Sequence, residues 1–427
     1  MLLQFSVNNY KSIKDTVTFS MQASLKDEGN IFETKKYKLL NSAVLYGSNA
    51  SGKSNVLKAM AFMHAMVLNK HKIIQSTDRL PHSPFKLSSE TEAASSSFEI
   101  VFFQSDLKYR YGFESDQKTV FSEWLFLDEK GKESKLFYRD LEDESYVNPN
   151  KFIEGIRFFD KKNKKINIAD NQLLIWKCDQ EDGEISKNIL AWFKNFNLVD
   201  GMKHENYINF TMKKMECSAF RGKMVDLIKT ADIGIEDVFV DEEHVPKDII
   251  ENMPIPDEIK KMMLAEGDLK SVSLNTLHKK FDKDNNNISM ETFSLEGEES
   301  KGTNKFFKMS APILDTLDKG GVLVIDELDA SLHTLLTQHL ISLFQNEKIN
   351  KNKAQLIFAT HDTNLLSKHL FRRDQIWLTE KDCYGVSNIF SLAQFSNVRK
   401  NEDFEKQYMQ GKYGAIPYLS QFEMNKE

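Results

Sequence analysis

The sequence predicts an α/β fold, a mixed sheet with flanking helices that carries a mainly helical insertion. A short apolar strand at residues 42–46 runs into a glycine loop and then a stretch with helical spacing, and those at 322–325 and 355–360 end in polar side chains. The middle of the chain is charged and mostly helical, whereas strands and helices alternate again after about residue 293. Alternation of this kind is typical of a parallel sheet covered by helices.

The first segment, residues 1–132, is predicted to be rich in strands. Apolar and polar residues alternate in its first two strand candidates, and a polar turn at 104–106 joins two later ones as a hairpin. These candidates are residues 3–7, 16–20, 42–46, 98–103, 109–113 and 123–127. After the third candidate, apolar residues recur at helical spacing from Val56 to Val67, so a helix follows it.

Residues 133–291 are expected to form the mainly helical insertion. Its best helical candidates are residues 185–196 and 220–231, the second of which stops near Gly234. Residues 292–427 then return to alternating strands and helices, which predicts that they complete the sheet begun by residues 1–132.

Composition excludes several classes of protein. The chain has 427 residues, 41% apolar and 28% charged, with a net charge of −6 and 31 phenylalanines. A protein that coats nucleic acid would be strongly basic, and this chain is not. A membrane span would need about 18 uninterrupted apolar residues, which are absent from the sequence. The three cysteines have no metal-ligand spacing, and the N-terminus has no signal-peptide pattern. We therefore expect a cytoplasmic protein with aromatic-rich cores and no membrane partner.

A glycine-rich loop follows the strand at 42–46 and precedes the helix. It matches Gly-x-x-x-x-Gly-Lys-Ser/Thr in full, a pattern whose backbone amides cradle phosphates. We expect Lys53 to reach the β- and γ-phosphates of ATP and Ser54 to bind Mg²⁺. A chance match occurs in roughly one chain in fifty to a hundred of this length, and the flanking strand and helix make chance rarer. The predicted ATP-binding residues are Gly47, Ser48, Asn49, Ala50, Ser51, Gly52, Lys53, Ser54 and Asn55.

Two carboxylates directly follow the strand at 322–325. Asp326 is expected to hold Mg²⁺ through water, and Glu327 to orient and polarise the attacking water. An ordinary core strand followed by acids in a turn is about as frequent when the pattern stands alone, but the intact phosphate loop favours the functional interpretation. Because Ser54 and Asp326 must share one Mg²⁺, we expect residues 1–132 and 292–427 to fold together.

A third apolar strand, at 355–360, ends at His361. A lone histidine is more often structural than catalytic. This one follows Asp326 and Glu327 by one helix and one strand, the spacing that places neighbouring parallel strand ends side by side. We therefore predict contact with the γ-phosphate. The predicted catalytic residues are Lys53, Glu327 and His361.

These motifs, in this order, resemble the ABC-type ATPase heads of the SMC and RecF kind. More narrowly, the chain resembles AAA-type ATPases of bacterial abortive-infection and anti-phage loci, including the RloA/AbiL group. The resemblance covers both ends of the chain and only weakly its middle. Besides the phosphate loop, it rests on residues 9–13, 299–303, 325–333, 360–362, 372–377 and 411–417. It implies an ABC-type P-loop ATPase head that uses ATP and Mg²⁺.

The resemblance also implies a head-to-head dimer with two ATPs between the heads. Four residues stand where ABC proteins have Leu-Ser-Gly-Gly-Gln, which caps the γ-phosphate bound to the other subunit: Ser300, Lys301, Gly302 and Thr303. The leading Leu and the final Gln are absent here, which predicts slow hydrolysis. The structural alternative is a plain helix N-terminus capped by Ser300. Asp329 resembles the D-loop aspartate that reaches across such a dimer, and Gln104 is one candidate for the Q-loop glutamine.

Three functions are compatible with these motifs. The resemblance favours an ATP-dependent sensor or switch of an anti-phage system that controls a separate effector, such as a nuclease or toxin. The chain ends soon after Pro417, so we expect no Toprim nuclease domain within it. The alternative is a RecF- or SMC-like ATPase of DNA repair or DNA organisation, although the middle segment lacks sustained heptads. The third, a transporter motor, would need a membrane partner and usually a complete signature motif, which this chain lacks.

Nucleic acid is a further candidate partner. Basic clusters occur at residues 161–165, 260–261, 279–280 and 372–373. Charge runs of this kind are usually solvated faces, and the acidic net charge agrees with that reading.

Overall fold

The computed structural model describes residues 1–25, 29–34, 36–202, 207–231, 234–265, 270–399 and 402–417. Within these ranges the chain divides into two compact units. The first unit takes its residues from Met1–Met202, Thr316–Ala330 and Thr337–Glu427, and the second from Lys203–Asp315 and Ser331–Leu336. Strands and helices are numbered below along the chain.

The first unit contains a seven-stranded antiparallel sheet. Its strands are β1 (Leu2–Asn8), β2 (Val17–Ser20), β6 (Ser96–Gln104), β7 (Leu107–Ser115), β8 (Val120–Asp128), β9 (Glu133–Asp140) and β10 (Tyr146–Val147). Their spatial order is β10-β9-β8-β7-β6-β1-β2, and every neighbouring pair is antiparallel. Apolar residues alternate along these strands, which buries one face of the sheet, as at Phe98, Ile100 and Phe102.

The first unit also contains a six-stranded sheet. Its strands are β5 (Ser42–Gly47), β13 (Phe196–Asp200), β17 (Val322–Asp326), β18 (Gln355–Ala359), β19 (Ile376–Lys381) and β20 (Ser387–Ser391). They follow the order β13-β17-β18-β5-β19-β20; the first five are parallel, and β20 is an antiparallel edge. Every residue of β5 is buried, as expected for a central strand of a parallel sheet. The prediction of a parallel sheet is confirmed.

Two short hairpins and several helices complete the secondary structure. The hairpins are β3 (Ile31–Glu33) with β4 (Lys38–Leu40), and β11 (Phe159–Asp160) with β12 (Lys165–Ile166). The helices with residues in the first unit are α1 (Lys53–Val67), α2 (Leu174–Gln180), α3 (Glu184–Lys194), α8 (Lys301–Lys319), α9 (Thr334–Gln345) and α10 (Phe404–Met409). Within the described ranges, none of the helices combines the length and apolarity needed to cross a bilayer.

One aromatic-rich core joins the two sheets of the first unit. Phe62 of α1 stacks on Phe98 of β6 with ring centroids 4.6 Å apart. Phe19 of β2 meets Trp377 of β19 at 5.0 Å. Aromatic pairs at such distances stabilise a core beyond the area that they bury. The predicted α/β fold, a mixed sheet with flanking helices, is confirmed.

The second unit is built on a three-stranded antiparallel sheet. Its strands are β14 (Ile235–His244), β15 (Lys270–Phe281) and β16 (Asn287–Ser294), in that spatial order. Its own helices are α4 (Ile208–Met215), α5 (Ser218–Thr230), α6 (Lys247–Asn252) and α7 (Asp257–Ala265). Both α4 and α5 pack against β14, and the Lys214 ammonium pairs with the Asp315 carboxylate.

The boundaries of the two units differ from the predicted boundaries, which lay after residues 132 and 291. Leu136 and Phe137 are buried, so residues 133–140 extend the antiparallel sheet as β9. The helix predicted at 185–196 is α3, which ends at Lys194, and residues 196–200 then form β13 beside β17, a strand that was not predicted. Residues 292–315 lie in the second unit. The segment 133–291 therefore mixes strands with helices and is not mainly helical.

Candidate functional site

The phosphate loop connects the end of β5 to the start of α1. Gly47 and Gly52 have φ angles of 155° and 116°, and Ala50 lies in the left-handed region at 62°; such angles let the chain turn tightly between strand and helix. The loop tip at 49–50 is exposed, whereas Lys53 is buried. No acidic residue stands in the first turn of α1, so the positive end of the helix dipole faces no carboxylate from its own first turn.

Lys53 folds back onto its own loop. Its Nζ donates hydrogen bonds to the carbonyl oxygens of Gly47 (2.7 Å) and Ser48 (3.2 Å). Burial lowers the pKa of Lys53 to about 8, and nearby carboxylates, Asp326 first among them, oppose that shift. The ammonium thus lies between the loop carbonyls and the strand-end carboxylates, at the place where a phosphate would add negative charge.

Ser54 and Asp326 meet although 272 positions separate them. Ser54 Oγ donates to Asp326 Oδ1 at 3.1 Å. Burial raises the pKa of Asp326 above its ordinary value, and the Ser54 hydrogen bond opposes that rise. Hydroxyl and carboxylate oxygens are the hard ligands that Mg²⁺ takes. The pair therefore fits a magnesium site.

The turn after β17 holds Glu327 at the carboxyl edge of the parallel sheet. Glu327 has a φ angle of 57°, a left-handed conformation that costs free energy in a residue other than glycine. The N–H of Gly201 donates to the carbonyl oxygen of Asp326 at 2.8 Å. A Cβ on Gly201 would lie 2.4 Å from the carbonyl oxygen of Glu327. Close backbone packing between β13 and this turn therefore fixes where Glu327 stands.

His361 follows β18 at the same edge. Partial desolvation and then the Lys53 charge lower the pKa of His361, against an opposing contribution from Asp329, so the imidazole is neutral at pH 7. Tyr46 Oη donates to the carbonyl oxygen of Asp362 at 3.1 Å, which anchors the turn after His361. Asp329 Oδ1 is buried, and no partner for it lies within the described ranges.

The signature-like segment lies in the second unit. Ser300 Oγ accepts a hydrogen bond from the backbone N–H of Thr303 at 3.0 Å, so Ser300 caps α8 as the structural alternative expects. Ser300 and Lys301 are exposed. A Cβ on Gly302 would lie 2.9 Å from the carbonyl oxygen of Ser331, so this glycine lets two backbones approach closely. Contact of this segment with a γ-phosphate stays a prediction.

Some residues near the site carried no prediction. Asp200 ends β13 in register with Asp326. The sequence held a signal for it, because residues 196–200 end in an aspartate, as residues 322–326 do. Thr379 and Ser387 contact the phosphate loop but stand far from it in sequence, without a local signal. Gln104, the Q-loop candidate, ends β6 in the antiparallel sheet and donates to Asn188 Oδ1 at 3.2 Å.

Each of the basic clusters has at least one member in an ion pair. Arg372 is buried and its Nε donates to Asp374 Oδ1 at 2.9 Å. Lys280 Nζ lies 2.6 Å from Glu291 Oε2 on the neighbouring strand. Exposed pairs such as Lys280 with Glu291 are weak, but they cancel charge locally, and these clusters give no argument for a nucleic-acid surface.

The strand order and the loop define the class of the protein. A phosphate loop leads from a central parallel strand into a helix, and an acidic strand end lies on β17, with only β18 between it and β5. This is the arrangement of a P-loop ATPase head. The chain belongs to the family described as "AAA domain, putative AbiEii toxin, Type IV TA system", whose profile matches residues 42–367.

Solved structures show similarities at low sequence identity. An SMC head domain from Thermotoga maritima is 12% identical, with 91% of this chain and 98% of that chain covered and a TM-score of 0.38. The recombination mediator protein RecF with ATPrS in the RecFOR pathway is 10% identical, with 91% and 98% covered and a TM-score of 0.33. No curated protein matches the sequence significantly. The fold assignment rests on the strand order and the phosphate loop.

Proposed function

We propose that this chain binds ATP together with Mg²⁺ and hydrolyses ATP to ADP and phosphate. The observation that carries the proposal is the 3.1 Å hydrogen bond between Ser54 Oγ and Asp326 Oδ1, which joins the metal-binding positions of two distant motifs. Lys53 stands beside both on the phosphate loop. Membership of the AAA domain family supports the proposal.

In the proposed reaction, a water attacks the γ-phosphorus in line with the leaving group. As the new O–P bond forms, Glu327 accepts a proton from the water. The bond from the γ-phosphorus to the β–γ bridging oxygen breaks, and its electron pair leaves with ADP. Lys53 stabilises negative charge on the phosphate oxygens, and neutral His361 donates a hydrogen bond to the γ-phosphate.

Ser54 and Asp326 would hold the Mg²⁺. Bound there, the ion would neutralise charge on the β- and γ-phosphates. The chain supplies a hydroxyl and a carboxylate already 3.1 Å apart. Gly201 supports this arrangement, because its N–H fixes the backbone of Asp326.

We further propose that the ATPase is a switch of a bacterial anti-phage or abortive-infection system, similar to the RloA/AbiL group. Two chains would enclose two ATPs, and the dimer would control a separate effector such as a nuclease or toxin. Exposure of Ser300 and Lys301 supports a role between subunits. The family description names a putative toxin and a type IV TA system, which supports a place in a toxin–antitoxin system.

The catalytic assignment is tested with Glu327→Gln. The amide keeps the shape of the side chain and loses the base, so turnover should fall at least roughly 100-fold, while ATP affinity stays near the parental value. Phosphate release measures the first quantity and calorimetric titration with ATPγS the second. Glu347→Gln, at an exposed glutamate, is the matched control and should leave both unchanged. Hydrolysis at the parental rate by Glu327→Gln would show that Glu327 is not the base.

The biological role is tested by copurification from cells that express the full chain. A nuclease-like or toxin-like protein that associates with the Glu327→Gln chain supports the switch role. Recovery of DNA without such a protein supports instead a RecF- or SMC-like role, and a membrane protein supports a transporter motor.

A further inference from the structure

The phosphate loop is hydrogen-bonded at both ends to a hairpin that lies far along the chain. The hairpin consists of β19 and β20, which pair antiparallel at the edge of the six-stranded sheet. Thr379 of β19 is the register partner of Gly47, where the loop begins. Ser387 begins β20 and lies beside Gly52, where the loop ends.

At the first end, Thr379 connects two parts of the loop. Its Oγ1 donates to the carbonyl oxygen of Tyr46 at 3.2 Å and lies 2.6 Å from Ser51 Oγ. A threonine hydroxyl carries one proton, so Ser51 is the donor of the second bond. Thr379 and Ser51 are each only 1% exposed, and water therefore cannot replace these bonds. A Cβ on Gly47 would lie 2.4 Å from the carbonyl oxygen of Thr379, so strand and loop are in direct backbone contact.

At the second end, Ser387 continues the connection. Its Oγ donates to the carbonyl oxygen of Ser51 at 2.7 Å and lies 2.8 Å from Ser12 Oγ. Asn55 of α1 donates to Ser12 Oγ at 2.6 Å. A Cβ on Gly52 would lie 2.3 Å from Ser387 Oγ. The resulting chain of polar groups runs from the helix through two serines into the loop.

We propose that Thr379 and Ser387 are positioning residues for ATP binding, which hold the phosphate loop in its binding conformation before the nucleotide arrives. The proposal rests on the proposed ATP-binding function. Ordering a free loop when a ligand binds costs conformational entropy, and a loop fixed in advance avoids that cost. Buried hydroxyls and carbonyls left without partners would favour a rearranged loop. Both residues are hydrogen-bonded to Ser51 and would act on the nucleotide through the loop.

The central test replaces Thr379 by valine, which keeps the shape and removes the hydroxyl. Thr379→Val removes both hydrogen bonds of this hydroxyl and should weaken binding of ATPγS with Mg²⁺ at least about tenfold. Thr379→Ser restores the hydroxyl and should bind within about twofold of the parental chain. Thr337→Val is the matched control, because Thr337 is equally buried and its Oγ1 has no partner within the described ranges. Calorimetric titration of the full chain measures each affinity, and circular dichroism confirms folding.

A second variant keeps the proposal testable if Thr379→Val does not fold. Ser387→Ala should weaken ATPγS binding by a similar factor. The double variant Thr379→Val with Ser51→Ala should lose less affinity than the product of the two single losses, because both remove the same bond. Parental affinity in folded Thr379→Val and Ser387→Ala, or failure of Thr379→Ser to restore binding, overturns the positioning role alone. If the parental chain does not bind ATPγS, the proposed ATP-binding function is wrong as well.

Discussion

At the scale of single residues, Lys53 is placed under two opposing influences. Burial disfavours its charge and lowers its pKa to about 8, while the carboxylates at the strand end favour that charge. Its hydrogen bonds to two loop carbonyls keep the ammonium near the place where the proposed function puts the phosphates. Lys53 therefore begins to lose its proton only slightly above physiological pH, so a bound anion can change its protonation.

This placement predicts a pH dependence of ATP binding. The phosphates bind the charged ammonium better and so raise its pKa again in the complex. Affinity should be fully present below pH 8 and should fall as pH rises through about 8, by at most about tenfold per pH unit. Titrations with ATPγS from pH 7 to 9.5 measure the profile. Lys53→Met should bind weakly with no such fall, and a flat profile in the parental chain would contradict the role of the ammonium.

The residues of the candidate site differ in how far the sequence could predict them. Lys53, Ser54 and Asp326 belong to local patterns whose chemistry requires those residue types, and the structure brings them together. Thr379 and Ser387 could not be predicted, because a hydroxyl has no local pattern and its partner is set by the long-range pairing of β19 with β5.

At the scale of elements, α10 supports the loop that carries His361. The ring of Tyr408 lies 6.1 Å from that of Tyr46, whose hydroxyl donates to the carbonyl oxygen of Asp362. Thr363 Oγ1 donates to Glu405 Oε1 at 3.3 Å. The turn after β18 is thus held from two sides by residues near the C-terminus and in β5.

This support predicts a loss of turnover when the Tyr408 ring is removed. Tyr408→Ala should lower kcat roughly tenfold, because a displaced His361 no longer meets the γ-phosphate in the right geometry. ATP affinity should change little, since the phosphate loop is held separately by the β19–β20 hairpin. Steady-state phosphate release and ATPγS titration separate the two effects. Met409→Ala, at a residue of the same helix that is 62% exposed, should leave both unchanged, and an unaltered kcat in folded Tyr408→Ala would refute the support.

Elements were predicted best where their pattern is local. The hairpin of β6 and β7 and the helix after the phosphate loop follow from alternation and helical spacing. The strands β9 and β13 were not predicted. The first continues a sheet that β8 has already begun, and the second pairs with β17, which is distant in sequence. Short apolar runs of this kind do not distinguish a strand from the end of a helix.

At the scale of the whole molecule, the predicted site residues fall in both compact units. The phosphate loop, the acidic strand end and His361 belong to the first unit, and the segment at 300–303 belongs to the second. The proposed dimer would bring the segment of one chain to the ATP of the other. Its contacts would depend on the γ-phosphate, so hydrolysis would loosen the dimer and change the surface that an effector meets.

The dimer predicts that assembly depends on the nucleotide. Glu327→Gln with ATP should form a dimer, and the same chain with ADP or without nucleotide should be a monomer, as measured by multi-angle light scattering. Ser300 is exposed and caps α8 through the N–H of Thr303, so a fair variant must keep the cap. Asparagine and aspartate both cap helices well and have nearly the same shape.

Ser300→Asp should therefore abolish the ATP-dependent dimer in the Glu327→Gln chain, because its carboxylate would face the triphosphate of the partner chain. Ser300→Asn, which differs only in charge, should retain most of the dimer. Both variants should bind ATPγS as the parental chain does, since Ser300 would touch only the nucleotide of the other subunit. If all of these chains show one assembly state whatever the nucleotide, the segment at 300–303 does not act between subunits. ATP would then be a ligand within each chain, and the N-terminal cap of α8 would be the whole role of Ser300.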